Sequence, residues 1–262
     1  MKFALLSDIH GNLSALQAVL AHLRQQNVQQ VVNLGDILSG PLLPLQTAQF
    51  LMQQNWPTLA GNHERQLLTL PPDQMGASDT YAHAQLTPEV LNWMRNLPAA
   101  LQRTPDVLLC HGTPQSDTRY LLETVVAGHT RLASQAEIAE RLGHTTATLV
   151  ACGHSHVPRV LQTACGQTIV NPGSVGLPAY DDTQPTPHVM ETGSPHARYA
   201  IAERLPPANS AGKNGSRAIT LHAIPYEHES MAQLAERNGR PDWAHALRTG
   251  YAMRPIRPIN NQ

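Results

Sequence analysis

The sequence predicts an α/β fold, and three observations carry that reading. Short apolar runs of strand length alternate with helical patterns through the first half of the chain. The first such pair forms a βα unit. Polar, metal-capable side chains recur directly after the apolar runs, where an open α/β sheet gathers its loops.

Lys2 to Leu6 reads as a strand that stops at Ser7 and Asp8, and Leu13, Leu16, Leu20 and Leu23 then mark one helix face. Val31, Val32 and Leu34 end at Gly35 and Asp36; Trp56 to Leu59 end at Gly61, Asn62 and His63; Val107 to Leu109 end at His111; Leu149 to Cys152 end at Gly153 and His154. After Pro158 the pattern turns to paired strands, with 159–163 and 167–171 flanking a tight Ala164-Cys165-Gly166 connection that reads as a hairpin. Pro185, Pro187 and Pro195, with Pro178 just upstream, punctuate the stretch from Tyr180 to Pro195, which is expected to be a loop. Two further strands, 197–205 and 217–224, enclose a Pro/Asn/Gly/Ser segment at 206–216 expected to be exposed and mobile, and 227–238 reads as a closing helix. Too little chain follows 206–216 to build an independent core, so one domain over residues 1–262 is expected.

Composition narrows the function. The chain has 18 basic and 19 acidic residues and a formal charge of −1, without the basic excess that accompanies stable nucleic-acid binding. Nucleotides or short oligonucleotides stay open as substrates. The apolar stretch before Ser7 is too short for a signal peptide, and no run approaches the ~18 apolar residues of a membrane span. The three cysteines, Cys110, Cys152 and Cys165, have neither disulfide-framework nor zinc-ribbon spacing, so a reducing cytoplasm is expected. Cys110 and Cys152 read as small buried strand residues.

The 14 histidines, against 6 tyrosines and 2 phenylalanines, matter by their placement. Asp8 and His10 sit two apart at a strand end, and in extended geometry both would point to one side. His154 and His156 repeat the spacing. Either pair alone is equally a capping or surface feature. Together with Asp36, Asn62 and His111 they make seven oxygen and nitrogen donors, each just after an apolar run. Such donors without cysteine suit Mn, Fe or Zn better than a structural thiolate zinc, and seven exceed one tetrahedral ion but suit two ions sharing a carboxylate.

The ordered set Asp8-Ile9-His10, Gly35-Asp36, Gly61-Asn62-His63-Glu64, His111-Gly112 and Gly153-His154-Ser155-His156 resembles the calcineurin-like metallophosphoesterase superfamily. Asn171-Pro172-Gly173-Ser174-Val175-Gly176 resembles more narrowly its small bacterial and archaeal phosphodiesterase branch. The resemblance implies an α/β (α+β) four-layer α-β-β-α sandwich of two mixed sheets. It implies two divalent metal ions, Mn first, with Fe, Zn or Ni as alternatives. Asp8, His10, Asp36 and His156 would hold one and Asp36, Asn62, His111 and His154 the other. A water bridging the two would attack phosphorus in line, and His63 would protonate the leaving group as the catalytic acid. The implied substrate is a small phosphodiester or nucleotide-like molecule, and a homo-oligomer is left open. The remaining nine histidines carry no such assignment; His188 and His196, in a stretch able to cover the site, are the exceptions to watch.

Two departures from the related Ser/Thr protein phosphatases bear on the reaction. The chain reads Gly35-Asp36-Ile37-Leu38-Ser39-Gly40 where they have Gly-Asp-x-Val-Asp-Arg-Gly, and Leu59-Ala60 precede Gly61 where an arginine is expected. Without arginines to grip a terminal dianion, a phosphodiester is the expected substrate over a phosphomonoester. Ser39 also removes the usual orienting partner of His63. The non-enzymatic alternative is a protein-binding relic like the retromer subunit that resembles the superfamily, but such relics lose ligands and all seven are present here.

Overall fold

In the computed structural model, residues 2–205 and 217–253 are described. The segment expected to be an exposed linker, 206–216, lies outside them. In chain order the elements are β1 (Lys2–Leu6), α1 (Leu13–Gln25), β2 (Val31–Asn33), α2 (Pro44–Met52), α3 (Asn62–Thr69), α4 (Ala77–His83), α5 (Pro88–Arg95), β3 (Ala100–Thr104), β4 (Val107–Cys110), β5 (Glu123–Val126), β6 (His129–Leu132), α6 (Gln135–Leu142) and β7 (Leu149–Ala151). Then follow β8 (Arg159–Gln162), β9 (Thr168–Asn171), β10 (Ala179–Asp182), β11 (His188–Glu191), β12 (Ala197–Arg204), β13 (Arg217–Ile224), α7 (His228–Arg237) and α8 (Pro241–Thr249).

The two larger sheets run β13-β12-β1-β2 and β3-β4-β7-β9-β8, and both are mixed. Period-two alternation along β1 divides the core. Phe3 and Leu5 pack with Val32, Leu34, Leu109, Ala151 and Val170 between the two sheets, whereas Ala4 and Leu6 pack outward with Leu16, Val19 and Leu23 of α1. The outer face of the second sheet, with Cys110, Val150 and Ile169, packs on Ile138 and Leu142 of α6. The result is the four-layer α-β-β-α sandwich. A fourth cluster seats α7 and α8 on Leu42, Leu177 and Ala179.

Two segments depart from expectation. Trp56 to Leu59 makes a single parallel bridge, Asn33 to Thr58, rather than a strand. Pro57 has no N–H to give a ladder, although its carbonyl accepts from Asn33 N at 2.9 Å. Conversely, the expected loop from Tyr180 to Pro195 holds the antiparallel hairpin β10–β11. Its prolines lie in the connection (Pro185, Pro187) or outside the ladder (Pro178, Pro195), where a missing donor costs nothing. Helix α8 closes the described chain after the expected closing helix, here α7.

Parallel pairing sets the site. β1 with β2 and β4 with β7 leave their sheets in the same direction, so the loops after each pair emerge together. The segment after β9 then ties the sheets at that end: Val175 and Gly176 donate to Ser7 O and Asp8 O at 3.0 Å each, and Ser174 Oγ donates to Asp8 O at 2.8 Å.

Leu5 is fully buried between the sheets and Leu132 is 44% exposed. Leu5→Ala is therefore expected to lower the unfolding free energy by ~2–5 kcal/mol, and Leu132→Ala by less than ~0.5 kcal/mol. Urea denaturation of the two variants checks this, and equal midpoints would contradict the sandwich core.

Candidate metal centre and cleft

The seven donors converge from loops that depart from regular geometry. Asp8, His10, Asp36, His154 and His156 all have positive φ, between 51° and 65°. Asp8 and His10 therefore do not converge through an extended period-two pattern, as their spacing predicted; each is turned inward by left-handed backbone. This conformation costs on the order of 1 kcal/mol per non-glycine residue and accumulates where function requires it.

Asp8, His10 and His156 bring one donor atom each to within 4.8 Å of one another, and Asp36, His111 and His154 do the same beside them. Asn62 Oδ1 lies 3.2 Å from His111 Nε2, which is also 3.0 Å from Asp36 Oδ2. His111 Nε2 and Asp8 Oδ1, 4.0 Å apart, link the two groups.

Hydrogen positions follow from the partners. His10, His156 and His111 donate Nδ1–H to the carbonyls of Ser39 (2.8 Å), Leu177 (2.7 Å) and Leu34 (2.9 Å). Each thereby presents Nε2 to the centre. His154 donates Nε2–H to Thr118 O at 3.1 Å, leaving Nδ1. The Nε2 atoms of His10 and His156 face each other at 3.1 Å. With both Nδ1–H groups spent on carbonyls, the two facing Nε2 atoms have between them room for a shared cation or a single proton. Burial, followed by the neighbouring His156, pushes His10 down to about 3, so it stays neutral. Burial, then the charge of His111, lowers His154 to about 4. Both oxygens of Asp8 are buried without a well-formed hydrogen bond. A buried carboxylate in that state also fits a cation. Burial would raise Asp8, but His156 beside it holds its carboxyl below the usual range.

Asp36 is buried, which would raise its pKa, yet His111 and His63 hold it well below the carboxylate range. Its Oδ1 accepts from His63 N at 3.0 Å, and a Cβ on Gly61 would run into that same oxygen. Glu64, fully buried, accepts from the N–H groups of Asp36 (2.8 Å), Ile37 (2.9 Å) and Gly61 (2.9 Å). One carboxylate thus binds the Asp36 turn to the start of α3. Burial, and then repulsion from Asp36, lift Glu64 to about 7.

His63 has an orienting partner that the sequence did not reveal. Its Nδ1 donates to Asp79 Oδ1 at 2.8 Å, from α4, so the loss of an aspartate at Ser39 is made good from a different element. Burial would lower the His63 pKa, but Asp36 and then the Asp79 hydrogen bond outweigh it and carry it up to about 9.

His10, Asp36, Asn62, His63, His154 and His156 open onto a cleft of about 420 Å³. One part of its lining comes from 66–79, another from Leu177 to Asp182 at β10, and a third from Arg240, Asp242 and Trp243 at α8. Of the stretch 176–196, only Leu177 to Asp182 at β10 lines the cleft, with aromatic support. Tyr180 OH donates to His154 O at 2.9 Å and lies 2.8 Å from Tyr120 OH, which lies 2.9 Å from His188 Nε2. His188 thus supports the site from behind and joins neither donor group, while His196 is absent from the described cleft lining. Cys110 and Cys152 are buried free thiols, and burial pushes Cys110 up to about 12. Asp79, Glu64, Tyr120, Tyr180 and Arg240 went unassigned from sequence; only Glu64 sits in a motif.

The fold and site define a mixed α/β sandwich with two adjacent groups of metal-capable side chains at its loop end. The profile of the Calcineurin-like phosphoesterase superfamily domain matches residues 1–194, and the chain belongs to that family. It is 24% identical over 199 residues to the uncharacterized protein MJ0912 of Methanocaldococcus jannaschii, covering 67% of this chain and 76% of that one. Its structure is similar to a metallophosphoesterase from Sphaerobacter thermophilus, with TM-score 0.68 and 23% identity over 94% of this chain and 98% of that one. It is also similar to the hypothetical protein PH1004 of Pyrococcus horikoshii OT3, with TM-score 0.71 and 16% identity over 96% and 99%. Among the described residues no helix is long and apolar enough to cross a membrane.

Glu64→Ala would strand three buried N–H groups, each costing ~1–3 kcal/mol. A lower thermal midpoint in metal-free protein is expected; an unchanged midpoint would deny Glu64 its bracing role.

Proposed function

We propose that the protein is a phosphodiesterase dependent on two divalent metal ions. The observation that carries this is the pair of adjacent donor groups, in which His10 and His156 oppose their Nε2 atoms and buried Asp8 has no well-formed hydrogen bond, His156 Nε2 lying 3.4 Å from its Oδ1. Asp8, His10 and His156 would hold one ion, Asn62, His111 and His154 the other, and Asp36 would serve both. When bound, such ions acidify water and neutralise phosphate charge. Mn is the first expectation from the donor set, with Fe, Zn or Ni as alternatives.

The chain's own groups supply the rest. His63 lies at the centre's edge, its ring centroid 5.5 Å from that of His10. With Nδ1 bound to Asp79, its Nε2 is the nitrogen left to donate a proton to a departing oxygen. Asp79 holds the tautomer and the ring angle, while Tyr180 and Trp243 narrow the water-accessible space around the reacting groups.

Diester preference is supported by the cleft's cations. Arg240 is the only lysine or arginine among its described lining residues, and its guanidinium is already bound to Asp242 and Ser78. Among the described lining residues no unengaged arginine is left to grip a terminal dianion.

The expected results are hydrolysis of bis-p-nitrophenyl phosphate with added Mn, abolished by a chelator and by Asp36→Asn. Absence of turnover on any mono- or diester with Mn, Fe, Zn and Ni would sink the reading in favour of a binding protein. His63→Ala should retain metal, measured by elemental analysis, and lose ~100-fold or more in kcat. Asp79→Asn should lose ~10-fold or more with metal content unchanged; full activity would remove Asp79 from the mechanism.

A further inference from the structure

The chain beyond the family-matched residues 1–194 contributes a wall to the cleft, and one side chain there reaches across to the acid's support. Arg240 is the N-cap residue of α8. Its Nε donates to Asp242 Oδ1 at 2.9 Å and its Nη2 to Asp242 Oδ2 at 2.6 Å, while Nη1 donates to Ser78 Oγ at 2.8 Å. The carboxylate fixes one edge of the fork and leaves the other aimed at α4.

Helix α4 needs that tie. It has seven residues, and only Asp79 and Ala82 of them are buried. A helix this short has little stability of its own and depends on docking. Its cap, Gly76, has no heavy atom within 4 Å of where a Cβ would be. The first turn is therefore anchored by two polar contacts on adjacent residues: Ser78 to Arg240, and Asp79 to His63. The same end of α8 also reaches the metal groups, since the Trp243 ring lies 5.9 Å from that of His10, edge-on, and 5.7 Å from Arg240 Cζ.

We infer that Arg240 is a positioning residue for His63: by pinning Ser78 it holds the first turn of α4 in place and keeps Asp79 within hydrogen-bonding distance of His63 Nδ1. This rests on the reading of His63 as proton donor to the leaving group. A small displacement of Asp79 would free the imidazole to turn and misplace its proton, a loss felt in proportion to how much the leaving oxygen needs that proton.

The test uses the full-length Mn-loaded enzyme and two diesters that share an ethyl group, ethyl p-nitrophenyl phosphate and ethyl phenyl phosphate. Phenoxide, the poorer leaving group, depends more on protonation. Arg240→Ala is expected to lower kcat on the phenyl ester about tenfold more than on the nitrophenyl ester, with KM and metal content little changed. Ser78→Ala, a milder change at a half-buried serine, should reproduce the same selective loss, and Arg240→Lys should fall between, because an ammonium cannot serve Asp242 and Ser78 as a fork. In a His63→Ala background, Arg240→Ala should bring no further loss, since the two act as one unit. Equal losses on both esters, or additive losses in the double variant, would overturn the inference. So would a raised KM with unchanged kcat, which would instead make Arg240 a direct substrate contact. If His63→Ala itself leaves the leaving-group dependence unchanged, the assignment of the acid fails and this inference with it. If His63→Ala steepens that dependence and neither Arg240→Ala nor Ser78→Ala alters it, only the inference fails.

Discussion

The Asp36 carboxylate is the constraint around which the site is arranged. It is buried at the end of β2, faces His111 across 3.0 Å and accepts the His63 amide at 3.0 Å. A charge so placed is tolerable only if compensated. Its surroundings follow from that need: glycine at 61 because a side chain would occupy its oxygen, Glu64 to pin its own turn, and imidazoles whose outer nitrogens are tied to main-chain carbonyls. In the proposed enzyme the remaining compensation comes from the metal ions.

The strain in this arrangement sits in the loops and is borne by the sheets. Five donor residues adopt left-handed backbone immediately beyond strands whose side chains are buried on both faces. Parallel pairing fixes where those strands end, and the Asn171–Gly176 segment bonds the second sheet to the Asp8 turn of the first. That bonding gives the Asn-Pro-Gly-Ser-Val-Gly motif a physical role: it registers the two sheets, each of which supplies donors to both groups. Asn171 contributes directly, donating to Gly153 O at 2.7 Å beside His154.

Further support comes from elements with no motif. The β10 strand holds the His154 carbonyl through Tyr180, α4 holds His63 through Asp79, and α8 reaches α4 through Arg240. These contacts also shape the cleft, so the parts that hold the reacting groups and the parts that would meet a substrate's variable portion are largely the same.

Much of this was legible in the sequence, and the division has a cause. Strand and helix periodicity along Lys2–Leu23, and the placement of Asp8, His10, Asp36, Asn62, His111, His154 and His156 after apolar runs, reflect local rules of burial and chain direction that a linear pattern records. The hairpin at 179–191 was hidden because proline marks a turn and a loop alike. The left-handed turns at Asp8 and His10 were hidden because nothing in a D-x-H spacing distinguishes an extended pair from a twisted one. Asp79 and Arg240 could not be found at all: their roles arise from partners 16 and 162 residues away, brought together by helix docking. Linear order was enough to set the class of fold and the donors at its centre. What orients His63 emerged only in three dimensions, because orientation depends on contacts between elements that share no local pattern.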